Sequence, residues 1–81
     1  MRTVRDRLIQ SFSLVFPELP ESEIPLVRSA SLGKWDSLAN LTLITILEEE
    51  FEIKVAEEEV EAFVSFELVY DYVKGKVNVG A

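Results

Sequence analysis

The chain contains no cysteine and no histidine. Without cysteine it has no disulfide staple, no thiolate metal ligand and no thiol nucleophile. Without histidine it also lacks the commonest metal ligand and the usual general base near neutral pH. These absences argue against a zinc site and against a self-contained hydrolytic triad, so neither a metal site nor a catalytic group is expected. Basic residues are scarce: eight Lys and Arg stand against fifteen Asp and Glu, a net charge of −7. Residues 1–40 hold five acids and five bases, whereas residues 41–81 hold ten acids and three bases, so the whole excess lies in the second half. Such a field repels nucleic acid and anionic membrane and attracts a basic protein surface. It equally suits a solvated acidic face with no partner. Long apolar runs are missing as well. The longest uncharged stretch, Ser37 to Leu47, is far too short to span a bilayer. Met1 to Arg7 leads into a charged amphipathic segment rather than a signal peptide. The expectation is a cytoplasmic protein with no membrane span and no nucleic-acid partner.

What is present suits one small domain. At 81 residues, 48% of them hydrophobic, there is room for a single modest core. Val4, Leu8, Phe12 and Val15 recur at helical spacing, widened by Ile9 and Phe16, until Pro17 and Pro20 end the pattern. Residues 17–35 hold all three prolines and no sustained period, and they read as a long loop. Ile24, Leu26, Val27 and Leu32 are its candidate core pins, and Trp35 is a candidate buried anchor.

The run from Leu41 to Leu47 is rich in β-branched residues and suits a strand by propensity. Length and flanks favour a helix instead. Asp36 suits an N-cap, and the pattern continues to Phe51 with Leu43, Ile44, Leu47 and Phe51 on one face. Thr42, Thr45, Glu49 and Glu52 fall opposite. Residues 57–64 predict a short helix burying Val60 and Phe63. Ser65 is a plausible cap for a last helix with Phe66, Val69, Tyr70 and Val73 on one face, stopped at Gly75. The expected fold is all-α: a small four-helix bundle of three main helices and one short one, with a long first loop. Residues 1–76 form the domain and 77–81 a flexible tail.

One local arrangement suggests chemistry, Gly33-Lys34-Trp35-Asp36-Ser37-Leu38 at the start of the second helix. Free backbone N–H groups and the positive end of the helix dipole favour a phosphate linked to a serine there. No base in the chain activates Ser37, so any modification needs another enzyme. The bland alternative is an Asp cap followed by an ordinary helical serine.

Four segments, in order, resemble the acyl carrier protein family: Asp36-Ser37-Leu38, Leu47-Glu48-Glu49-Glu50-Phe51, Glu57-Glu58-Glu59-Val60-Glu61 and Asp71-Tyr72-Val73-Lys74-Gly75. The resemblance covers nearly the whole chain. It implies that a phosphopantetheinyl transferase attaches 4′-phosphopantetheine from coenzyme A to Ser37, with Asp36 and Leu38 part of the recognised motif. The carrier then holds acyl groups as thioesters, catalyses nothing itself, and serves fatty-acid or specialised lipid or polyketide synthesis as a monomer. The resemblance further implies a core that opens around an acyl chain, lined by Ile44, Leu47, Val60, Phe63 and Val69. The same residues equally read as ordinary core. Leu38, Leu41, Glu48, Glu49 and Glu52 are the expected docking residues for acyl-transferring or acyl-ligating enzymes with basic surfaces. Two departures matter. Ala39 and Thr42 stand where many members place acids, and Trp35 with Leu32-Gly33 looks more like specialised stand-alone carriers or the carrier domains of peptide-assembly systems. An aminoacyl or peptidyl carrier and an unmodified acidic helical adaptor are the alternatives.

Overall fold

Each apolar stripe becomes a helix because the residues flanking it supply the caps. In the computed structural model, which describes residues 3–79, α1 spans Val4–Val15. The Thr3 hydroxyl accepts the Asp6 N–H at 3.1 Å, and the Asp6 carboxylate accepts the Thr3 N–H at 3.3 Å. This reciprocal box satisfies two otherwise orphaned donors. The helix ends at Phe16, whose N–H reaches the Phe12 carbonyl at 2.8 Å, and Pro17 cannot continue it.

α2 spans Ser37–Phe51. The Thr42 and Thr45 hydroxyls donate to the carbonyls of Leu38 and Leu41 at 3.1 and 3.0 Å. These bonds satisfy the threonine hydroxyls within the helix. Leu43, Ile44, Leu47 and Phe51 are buried, and Thr42, Thr45, Glu49 and Glu52 are exposed, as the helical spacing predicts. The cap after Phe51 is Glu52 at φ 52°, the left-handed conformation that glycine or asparagine usually fills.

A 3-10 helix, Glu57–Ala62, follows where a short helix is expected. Phe63 is buried behind it and Val60 half-buried. α3 then spans Phe66–Val79, and the Ser65 hydroxyl accepts the Leu68 N–H at 3.2 Å as the expected cap. Gly75 does not stop it. Val77 lies one turn beyond buried Val73 and packs against the core. That contact offsets the cost of about 1 kcal/mol that glycine carries inside a helix. Residues 77–79 are therefore helical rather than tail, while 80–81 lie outside the described residues.

Residues 17–35 are a strap with three anchors. Ile24, in a 3-10 turn over Ile24–Leu26, is fully buried. Leu26, expected to pin the loop, is instead 77% exposed, since a three-residue turn points it away from Ile24. Farther on, the Ser29 N–H donates to the Val64 carbonyl at 2.8 Å and the Phe66 N–H to the Val27 carbonyl at 3.1 Å. Arg28 and Ser65 thus form an antiparallel bridge. Trp35 is the third anchor, 5% exposed. Its ring stands edge-on to Phe12 at 5.4 Å and tilted to Phe16 at 6.0 Å, and Phe12 meets Phe66 at 5.2 Å. Among the described residues the result is a small all-α bundle of three α-helices and one short 3-10 helix, with a long first loop that carries a single 3-10 turn.

Arg7 clamps α1 to the end of α2. Its Nε donates to the Glu50 carboxylate at 2.7 Å, its Nη2 donates to the Glu50 carbonyl, and its guanidinium lies 4.6 Å from the centre of the Phe51 ring. The positive group also sits where the helix dipole is negative. Both partners are about one-third exposed, so solvent screens the pair. Arg7→Met is expected to cost about 1 kcal/mol, a fall in Tm of roughly 4–8 °C for a domain this size. Glu50→Gln should cost less, because the carbonyl and ring contacts survive it. Thermal melts of both variants check the order, and equal losses would mean that the carboxylate alone carries the clamp.

Candidate functional site

Ser37 is the first residue of α2 and is exposed. Asp36 before it has extended backbone, and its carboxylate accepts the Ala39 N–H at 2.9 Å. The Asp36 carbonyl accepts the Asn40 N–H, also at 2.9 Å. The amides of Ser37 and Leu38 have no partner inside the helix by geometry. With the dipole's positive end beside them, they suit an anion attached to the serine. Leu38 and Leu41, next to Ser37, are 73% and 58% exposed. Ala39 and Thr42 add no charge there, so the first two turns of α2 present an uncharged, largely apolar surface beside Asp36.

A cleft of about 270 Å³ opens beside Ser37, lined by Ser29, Trp35, Asp36, Asn40, Val60, Phe63 and Val64. Of the five expected acyl-lining residues, only Val60 and Phe63 border it. Ile44, Leu47 and Val69 are buried in the core. Asn40 is the residue that sequence reasoning missed. The Trp35 indole N–H donates to Asn40 Oδ1 at 3.0 Å, and Asn40 Nδ2 reaches the Val60 carbonyl at 3.5 Å. Trp35 and Asn40 stand at the two positions of a hydrophobic staple, and here a hydrogen bond makes the link that apolar contact ordinarily would. A similar hollow between Val15, Pro17, Leu19 and Leu32, with the Lys34–Glu18 ion pair beside it, contains none of the expected site residues.

The glutamates of residues 48–61 divide into two groups. Glu48 accepts the Val55 N–H at 2.9 Å, Glu50 holds Arg7, and Glu59 accepts the Tyr72 hydroxyl at 2.9 Å and the Ala56 N–H at 3.3 Å. These three shape the fold. Glu49, Glu52, Glu57, Glu58 and Glu61 are exposed. Among the expected docking residues, Glu48 is therefore committed to the turn after α2, and it lies about 16 Å along the helix from Ser37 at 1.5 Å per residue. No group of three or more acids that would hold a metal ion occurs among the described residues. No helix among them is long and apolar enough to cross a membrane. No model of a known protein family matches the chain.

Tyr72 ties the short 3-10 helix to α3. Burial, then the hydrogen bond and negative charge of Glu59, push its phenol up from 10.0 to about 12. Because the folded value is raised, the stabilisation is complete below pH 10, where an unfolded tyrosine keeps its proton, and is lost as pH rises toward 12. Tyr72→Phe should thus destabilise the protein at pH 7 to 9, and its difference from the parent should narrow between pH 10 and 12. Denaturant melts across that range measure it. A constant difference at every pH would assign Tyr72 to packing alone.

Proposed function

We propose that this protein is an acyl carrier: it bears 4′-phosphopantetheine on Ser37 and presents acyl groups as thioesters to partner enzymes. The observation that carries the reading is an exposed serine at the first position of α2, directly after a capping Asp36, within a chain whose ordered motifs resemble the carrier family. Attachment joins the Ser37 oxygen to the phosphorus of coenzyme A's pantetheine phosphate, breaks the pyrophosphate bond and releases the adenosine bisphosphate. No histidine exists to take the serine proton, so it passes to the transferase. The carrier itself catalyses no step, acts in the cytoplasm and works as a monomer.

Partner choice follows from the surface beside the serine. Rim charges act mainly on association rate and on partner selection. The first two turns of α2 offer Leu38, Ala39, Leu41 and Thr42 where basic partners would seek acids, so this carrier suits dedicated ligases or transferases that use apolar contact. The exposed Glu49 and Glu52, farther along, steer rather than grip.

Incubation with coenzyme A, Mg²⁺ and a broad-specificity phosphopantetheinyl transferase should add one phosphopantetheine by intact mass, and Ser37→Ala should abolish the gain. An unmodified parent with several such enzymes would favour the acidic adaptor. Once loaded, the Leu38→Ala variant should slow transfer with every partner. Ala39→Glu with Thr42→Glu should speed transfer several-fold only with general fatty-acid enzymes at low salt. No response to either change would remove this face from docking.

A further inference from the structure

The cleft beside Ser37 is the opening that a group attached to that residue meets on the side of Val60 and Phe63. Trp35 closes the strap side of that cleft, wedged edge-on against Phe12. Its indole N–H is held by Asn40 of α2, and the Asn40 amide reaches across to the Val60 carbonyl of the 3-10 helix. One line of polar contacts thus ties strap, α2 and 3-10 helix together. Parting Val60 and Phe63 from α2 would break the link from the Asn40 amide to the Val60 carbonyl, which the Trp35 N–H keeps aimed by holding Asn40 Oδ1. The bond from Tyr72 to Glu59 holds the same 3-10 helix a second time. Ile44, Leu47 and Val69 are fully or almost fully buried, and none of them borders the cleft. The cleft itself presents Ser29, Asp36 and Asn40 alongside Trp35, Val60, Phe63 and Val64, a lining half polar that offers a long alkyl chain no enclosed apolar groove.

We infer that the Trp35–Asn40–Val60 tether bars cargo on Ser37 from the helical core, so that this carrier serves short polar acyl groups, held at the Ser37 cleft, rather than long alkyl chains. The cargo assignment rests on the carrier reading of Ser37, whereas the bar itself does not. Trp35 and Asn40 are then the residues that set cargo length.

The absence of cysteine supplies a test that needs no transferase. Ser37→Cys gives a unique thiol, which maleimides carrying a hydroxybutyl or a dodecyl group will alkylate. Tm and amide exchange over residues 57–64 are then compared between the two adducts. Both adducts should melt together and exchange alike. Adding Asn40→Ala should let the dodecyl chain enter, raising Tm by several degrees over the hydroxybutyl adduct and slowing exchange at 57–64. Trp35→Phe, which removes the N–H that aims Asn40 and trims the ring against Phe12, should do the same if Asn40→Ala proves too unstable to fold. A dodecyl adduct that already melts several degrees higher without either change overturns the inference. So does the absence of any gain in both variants, because the bar would then lie elsewhere. Failure of Ser37 to accept phosphopantetheine would sink the carrier reading alone and would leave these melts unaffected.

Discussion

The burial of Trp35 is the constraint on which the rest of the structure depends. Ordering residues 17–35 costs roughly 1–2 kcal/mol of backbone entropy per residue, and a segment with so few buried side chains recovers little of that by itself. Ile24 holds its middle, the bridge between Arg28 and Ser65 holds its return, and Trp35 holds its end. Because Trp35 comes immediately before the Asp36 cap, seating the indole against Phe12 and Phe16 also fixes where α2 begins. The exposure of Ser37 is thus a consequence of packing two residues earlier in the chain.

Charge and apolar surface are segregated along α2. The serine end carries Leu38, Ala39, Leu41 and Thr42, while the far end carries four glutamates interrupted by Phe51. Two of those four are drawn into the fold, Glu48 by a backbone amide and Glu50 by Arg7. An acidic cluster that looks uniform in the sequence is therefore partly a set of hydrogen-bond acceptors that close turns and join helices. On the carrier reading, long-range attraction comes from the far end and short-range fit from the serine end.

The short 3-10 helix is the least self-sufficient element. Its three leading glutamates favour a helix start, yet six residues cannot sustain a helix without tertiary contacts. Tyr72, Asn40 and buried Phe63 supply them. Tyr72 and Asn40 reach this segment from α3 and α2, so it is held by contacts distant in sequence.

The three α-helices, the Asp36 and Ser65 caps and the place of Ser37 at a helix start are legible in the chain's local pattern. Those features depend on residues within one turn of each other, through 3.6-residue periodicity and local hydrogen bonds. The choice of helix over strand for residues 41–47 was legible for the same reason, since continuation to Phe51 outweighs β-branched propensity. Only the tertiary structure decided which residues border the Ser37 cleft, that Asn40 joins Trp35 to Val60, that Glu50 answers Arg7 and that the last helix runs past Gly75. The Asn40–Val60 and Arg7–Glu50 contacts span 20 and 43 residues of sequence, and Val77 tips the balance at Gly75 only by meeting a core built from other helices. No local pattern encodes such pairings, because they are set by how the helices pack and not by the spacing within any one of them.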